Sequence, residues 1–548
     1  MNTMQKRLIV FAVFLLGCFF IGWSQPPGTD NQTMTGDIDL NLGNLEKPAI
    51  ETPAPSNPVD TKGVQYEEKD IMVKTDYQPL PIKAPAPPKV EMPPLFNNMI
   101  SAGFGRFASP YASLFLNSGR NLDANIGLDF THLSSSREYV DYSNFRDDFG
   151  GIKAEYFAND HVLKGNFRLQ NTQYFYFADT LVEGHPEWKD SIRQAFTRME
   201  FEASLGKKAQ SGEGVNYHVP LTFHSYFDHH RKTDKGRDLH VGIRPELDWK
   251  ITEQFGAAIR SNFMFSNSEF DSLEQSRFFL DLTPMVTFKM ENIQIEAGLK
   301  INSLSDTNTH FAAYPLLTGR YELFPGKMFL TAGLTGETHY LRYYDLVAQN
   351  RYLDRNLDIR PMRDRLNIHV GMGGQLAKFL SYDVRFYTRK IKDQLIFFNP
   401  YGGSEFQMLY DSNFVQTGLK ASIIFNKDNK IRAGISGDFR RFRTSNIAHN
   451  FNMPGVQMDI WANYNFANKV LVGTEVYFFG NRIMSLDTAG APIEQGMTAD
   501  VNLRAEYRFS ERISVFLQLN NLLGNNWQRW YGYRERPFDV KGGATFSF

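Results

Sequence analysis

From Asn97 to Phe548 the sequence alternates apolar and polar residues in segments of about ten, the period of a strand whose two faces meet different surroundings. The last segment sets Phe538, Val540, Gly542, Ala544, Phe546 and Phe548 against Asp539, Lys541, Gly543, Thr545 and Ser547. Val501, Leu503, Ala505, Tyr507 and Phe509 alternate in the same way with Asp500, Asn502, Arg504, Glu506 and Arg508. A third segment sets Leu239, Val241, Ile243, Leu247 and Trp249 against His240, Arg244, Glu246, Asp248 and Lys250. A soluble sandwich also alternates, but about 22 consecutive segments (range 18 to 24) exceed what such a fold uses. Inside hydrocarbon only a closed sheet satisfies every backbone N–H and C=O, so the pattern predicts an all-β, antiparallel, up-and-down transmembrane barrel over residues 95–548.

Composition agrees. Mean hydropathy is negative at -0.38 while aromatics reach 14%, which fits neither a helical membrane protein nor an ordinary soluble enzyme. After the first 25 residues no stretch approaches the roughly 18 to 20 apolar residues of a spanning helix. Basic and acidic side chains nearly balance, 59 against 60, which argues against a nucleic-acid partner.

The amino terminus reads as an export signal, residues 1–25: Lys6 and Arg7, the apolar run Leu8 to Ile21, then Gly22-Trp23-Ser24. Leu15-Leu16-Gly17-Cys18 offers a lipoprotein alternative, although Phe19, Phe20 and Ile21 continue the apolar run past the single cysteine. Residues 26–94 hold 13 of the 25 prolines and only Tyr66 and Tyr77 as aromatics. Such a segment cannot bury a core and is expected to be a largely disordered, semi-rigid periplasmic arm, suited to adding a strand to a partner protein's sheet edge.

Connection lengths predict the orientation, because bacterial barrels use short periplasmic turns and longer external loops. Short connections include 159–161, 252–254, 291–292, 325–327, 426–429, 467–469 and 510–512. Long ones fall at 134–146, 179–193, 339–365, 400–413, 445–455, 481–496 and 524–536. An even strand count with both termini in the periplasm of a Gram-negative envelope follows. The terminal strand ending at Phe548 is expected to engage the barrel-assembly machinery.

The stretch Leu519-Asn520-Asn521-Leu522-Leu523-Gly524-Asn525-Asn526-Trp527-Gln528-Arg529-Trp530-Tyr531-Gly532-Tyr533, with the strand after it, resembles the end of a TonB-dependent receptor barrel. The loop Tyr343 to Pro361, with Asn350, Tyr352-Leu353 and Asn356-Leu357, is similar to a barrel loop of that family. The resemblance implies 22 strands and transport of solutes across the outer membrane. It also implies a globular plug of well over a hundred residues, for which the 69 residues before Leu95 leave no room. Asp70-Ile71-Met72-Val73 is similar to the box that binds TonB, which without a plug would have nothing to pull.

An unplugged barrel of this width needs loops, the arm or another protein to fill it. Candidate ligand or partner loops carry Trp527, Arg529, Trp530, Tyr531, Tyr533 and Arg534, and Tyr343, Tyr344, Arg351, Tyr352 and Arg355, which pair flat aromatic surfaces with cationic donors. The bland alternative for these rings is an interfacial belt. Arg244, Glu246, Asp500, Arg504, Glu506 and Arg508 are expected on the lumen wall, either cross-bridged or holding an inward-folded loop. Adjacent His229 and His230 after Asp228 point opposite ways on an extended chain and make a poor metal site. No cofactor is expected, and with no G-x-S-x-G motif, no enzyme. Two functions remain open: a solute-binding or transporting barrel, or a barrel subunit of an envelope assembly recruited through its arm.

Overall fold

The computed structural model describes residues 97–119, 123–178, 191–207, 214–229, 236–270, 273–306, 309–354, 357–428 and 430–548. The expected export signal, the proline-rich arm, His230, Arg355 and Asn356 lie outside them. One antiparallel sheet dominates, with 23 strand segments. Two of them, Gly236–Ile243 and Glu246–Lys250, lie end to end between the same neighbours and form one strand interrupted at Arg244-Pro245, which leaves 22 strands. The first strand, Met99–Gly105, pairs with the last, Asp539–Ser547, from Met99↔Ser547 to Gly105↔Lys541. Asn98 and Phe548 then exchange backbone bonds of 3.1 and 2.9 Å, so the sheet closes without an edge.

The outer face carries the expected apolar residues. Val370 and Phe386, cross-strand partners, are 52% and 50% exposed, and Trp249, Ile259, Leu317, Ile423, Phe439 and Leu517 are exposed around the ring. Apolar side chains left bare in this number make sense only against lipid. Among the described residues no helix is long and apolar enough to cross a membrane. The molecule is an outer-membrane β-barrel.

One end has tight connections. Ala467 and Asn468, for example, take φ of 51° and 57° in the reversal between Val456–Phe466 and Val470–Phe479, the left-handed pair that suits a strand-twisted hairpin. Both ends of the barrel chain emerge on this side. The other end carries the long loops, with hairpins of their own at Gln394–Phe398/Gln407–Asp411, Arg482–Leu486/Pro492–Gln495 and Gln528–Trp530/Tyr533–Arg534. The alternation is less regular than the sequence implies. Residues 106–108, 271–272 and 306–308 are short connections on the long-loop side, so the rim is low over the strands that border them.

Candidate functional site: the loop-filled mouth

Twenty-two strands about 4.8 Å apart and tilted about 40° give a ring of about 40 Å, far wider than side chains from the wall can fill. Residues 340–361, between the thirteenth strand Met328–His339 and the fourteenth Met362–Ala377, fold inward across it. They contain the short helix Tyr343–Gln349. Arg342 precedes it and grips Asp345 through two hydrogen bonds of 2.7 Å, closing the first turn. Tyr343 and Leu346, 1% and 0% exposed, aim at the far wall.

That wall comprises the sixth to tenth strands, three to seven steps back from the thirteenth. Tyr343 lies 4.1 Å from the ring of Phe270 and 5.7 Å from Tyr226, which stacks on Phe196 at 5.0 Å. Arg198 places its guanidinium 3.6 Å over the Tyr344 ring and donates to its hydroxyl. Arg277, buried in the strand Leu273–Lys289, donates to the Leu341 carbonyl at 3.1 Å and stacks over Tyr340 at 4.7 Å. Beside it Asp238 accepts from Ser268 at 2.6 Å and pairs with His240 at 2.8 Å, both residues buried. A buried cation with a carboxylate and aromatic faces nearby forms an interior contact rather than a rinsed channel wall.

The second half of the loop meets other loops near the ring's centre. Tyr176 donates to the Leu353 carbonyl at 2.7 Å, and Tyr174 to the Arg351 carbonyl. Tyr352 stacks on Tyr533 with ring centroids 3.4 Å apart and planes 11° from parallel. Phe406, from the loop 393–413, joins through backbone bonds of 2.7 Å to Tyr352 and 2.9 Å from Asp354. Trp530 packs edge-on against Phe397 and Phe406 at 5.5 and 5.4 Å. One continuous aromatic core therefore joins the fifth strand, the 340–361 loop, the 393–413 loop and the last loop, 521–538. Their attachment points surround the ring, so the core spans the mouth as a lid.

Of the loop residues singled out from sequence, Tyr343, Tyr352 and Tyr533 are buried inside this lid, while Trp527 is buried outside its core, stacked on Phe479 of the barrel wall at 5.5 Å. Tyr344, Arg351, Arg529, Trp530 and Tyr531 are half-buried within it, and Arg534 is exposed. The rings thus spend much of their surface on one another. Arg351, Arg482 and Arg529 lie within electrostatic range of Glu535. Burial pushes Glu535 up against the pull of Arg529 and Arg351, and burial beside Arg529 brings Arg482 down to about 10. Asp500 also lies within range of Glu535, so three guanidinium groups meet two carboxylates in this part of the lid.

The expected lumen charges are mostly paired, two across strands and the others within one strand. Arg244 approaches Glu202 at 3.6 Å, Glu246 approaches Arg260 at 3.8 Å, and Arg508 approaches Glu506 at 3.5 Å. Asp500 bonds Asn502, while Arg504 is exposed. One group of metal-ligand type, Glu337, His339 and Asp364, sits at the base of the lid. Its carboxylates already hold cations: Glu337 pairs with Lys300 at 2.6 Å and Asp364 with Arg389 at 2.5 Å. Charge within the set is thereby balanced.

Sequence reasoning missed the receiving wall: Arg198, Arg277, Asp238, His240, Tyr226 and Phe270. One signal was available. Tyr174-Phe175-Tyr176-Phe177 and Leu395-Ile396-Phe397-Phe398 break the two-residue period with apolar side chains on both faces, as a chain does where it meets protein on each side.

These features define a class: a closed 22-stranded outer-membrane barrel whose mouth is filled by its own inward-folded loops. The fold is that of the TonB-dependent receptors. The chain is similar to the FrpB iron transporter from Neisseria meningitidis, at 11% identity and a TM-score of 0.65, covering 82% of this chain and 81% of that one. It is similar also to the ferric-catecholate import receptor Fiu from K12 E. coli, at 11% identity and a TM-score of 0.64, covering 82% of each chain. The copper transporter OprC matches at 13% identity and a TM-score of 0.62, over 82% of this chain and 80% of that one. No protein-family model and no curated protein sequence matches.

Proposed function

We propose that the protein binds a solute at its long loops and passes it across the outer membrane through the lumen, with residues 340–361 as the gate. In this reading the long loops face the cell exterior and both barrel ends the periplasm; residues 1–25 are the export signal and 26–94 a periplasmic arm. The observation that carries it is the inward loop itself. It lies outside the strand pairing, held to the receiving wall by side-chain contacts and to the 393–413 loop by backbone bonds, so it closes the ring and can be displaced without breaking the sheet. The named activities of the similar structures, iron, ferric-catecholate and copper uptake, support transport as the role of such a barrel.

Planar-bilayer recordings of the full chain test it. The intact protein is expected to show small or rare currents, and replacing 343–349 by a Gly-Ser linker to give large ones. A barrel that stays sealed after that replacement would instead support a non-transporting subunit of an envelope assembly. Equal large currents from both proteins would remove the gate.

A further inference from the structure

Above the apolar belt the outer wall is not uniform. On the fourteenth to seventeenth strands, Met362–Ala377, Leu380–Lys392, Phe414–Lys427 and Ile431–Arg443, the lipid-facing residues are apolar up to a common level: Val370, Phe386, Leu419 and Phe439 are successive cross-strand partners and all exposed. One step toward the long-loop end, Thr388 faces Thr417, their hydroxyls 3.1 Å apart, and Thr417 faces Arg441. One step further, Lys390 faces Val415, which faces Arg443, while on the other side Lys390 faces Leu366 beside a register shift that leaves Arg365 exposed. Lys392 follows. Strands lie about 4.8 Å apart, so Lys390 and Arg443 stand on the order of 10 Å from one another on the same face.

Arg365, Lys390, Arg441 and Arg443 are exposed, and none of these four cations forms an ion pair with a described residue. On the third, fourth and eighth to tenth strands the same level is neutralised or acidic. Arg237 faces Glu269, which faces Glu274, and Arg146 and His132 both bind Asp148. Four unneutralised cations are thus gathered on three of four adjacent strands, directly over exposed aromatic and aliphatic side chains, whereas Arg106, alone beyond the first strand, donates to the Phe538 carbonyl at 2.7 Å.

We propose that this sector binds a phosphorylated glycolipid of the outer leaflet, its phosphates on Arg365, Lys390, Arg441 and Arg443 and its acyl chains against Val370, Phe386, Leu419 and Phe439. A soluble anion would meet only a screened surface charge. An amphiphile with phosphate at the boundary satisfies both layers at once, and guanidinium groups suit phosphate geometry. The two threonine hydroxyls supply neutral donors between the cations. The assignment rests on the long loops facing outward.

Native mass spectrometry of the full detergent-solubilised protein with added bisphosphorylated lipid A tests the assignment. Each basic side chain at an anionic membrane surface contributes about fivefold, so Lys390→Gln/Arg441→Gln/Arg443→Gln is expected to lose bound lipid roughly a hundredfold. Lys390→Arg/Arg441→Lys/Arg443→Lys retains it within about threefold, and Arg237→Gln on the far wall leaves it unchanged. Heat-dependent gel mobility, unchanged in all variants, separates lost binding from lost folding. Lipid A without its phosphates is expected to bind poorly, and inorganic phosphate at equal concentration not to displace the lipid. Equal retention of the phosphate-free lipid, displacement by inorganic phosphate, or full retention by the triple Gln variant overturns the proposal. None of these outcomes depends on the conductance of the lumen.

Discussion

Tyr533→Ala tests the lid at its most connected ring. Tyr533, 2% exposed, stacks on Tyr352 at 3.4 Å, meets Phe177 edge-on at 5.0 Å and donates its hydroxyl to the Ser404 carbonyl, so it ties its own loop to three others. Truncating a buried aromatic to alanine costs about 3 to 5 kcal/mol. Part of that burial persists when the loops separate, which leaves about 3 kcal/mol acting on the docked state, or roughly a hundredfold rise in the displaced population. Tyr533→Phe keeps both ring contacts and loses one hydrogen bond, about 1 kcal/mol and roughly a fivefold rise. Tyr533 lies outside the barrel strands, so heat-dependent mobility should be unchanged. Single-channel recording reads the open probability, with the order alanine, phenylalanine, intact. If Tyr533→Ala is indistinguishable from the intact protein while replacement of 343–349 opens the pore, the stacked core is not what holds the lid. If both Tyr533 variants open it equally, the hydrogen bond rather than the stack carries the contact.

Asp411 fastens the loop 393–413 to the loop 444–455, accepting from the Ser445 N–H at 2.7 Å, the Ser445 hydroxyl at 2.8 Å and the Asn446 and Asn413 N–H groups at 3.1 Å. Burial opposes its charge, but the Ser445, Asn446 and Asn413 bonds outweigh it and hold the carboxyl below its usual value. A depressed carboxyl stabilises fully above the ordinary value of about 4 and loses that contribution as pH falls through the lower folded value. Hydrogen exchange at 445–447 should therefore quicken only in acid, and Asp411→Asn should quicken it at neutral pH by about 2 kcal/mol. Arg277→Ala should free 340–346, seen as faster exchange there, because about 3 kcal/mol or more is lost when a buried cation leaves its partners. At the seam, a Cβ on Gly543 would lie 2.3 Å from the Ala102 carbonyl oxygen and 2.5 Å from Phe516. Gly543→Ala should lower the temperature at which the compact gel band is lost, by about 1 to 3 kcal/mol of strain.

The wall was legible because lipid and water impose opposite demands at every second residue. Leu503 and Arg504 announce their faces without reference to any other strand, and the same holds for Trp249 and Lys250. Strand number follows from counting such segments. The lid was legible only as composition. Tyr343, Tyr352, Tyr533 and Trp530 look the same whether they bind a ligand, float in an interface or pack on one another, and the choice depends on contacts between residues hundreds of positions apart. Arg277 and Asp238 were hidden for a related reason. An inward charge on a strand is expected for a water-filled lumen, and nothing local distinguishes one bathed in water from one covered by a loop arriving from the thirteenth strand.

The uneven rim supplies the remaining step. Where connections are short, at 271–272 and 306–308, the wall has no loops of its own to close the ring, and there its inner surface carries the buried grip of Arg277, Asp238, His240, Ser266 and Ser268. The long loops at 340–361, 393–413, 480–497 and 521–538 arise on the other side and share one core. A lid anchored by many backbone connections on one side and by side chains alone on the other has an unequal pair of attachments. Its release is set at the side-chain edge, where Tyr343 meets Phe270 and Arg277 meets Leu341, because parting those contacts breaks no strand pairing. The opposite edge is held by the barrel strands themselves and would act as the hinge of the proposed gate. Under the proposed function, a solute that opens the lumen would have to compete with the far-wall contacts of 340–346, while the loop attachments at 339 and 362 would need only to bend.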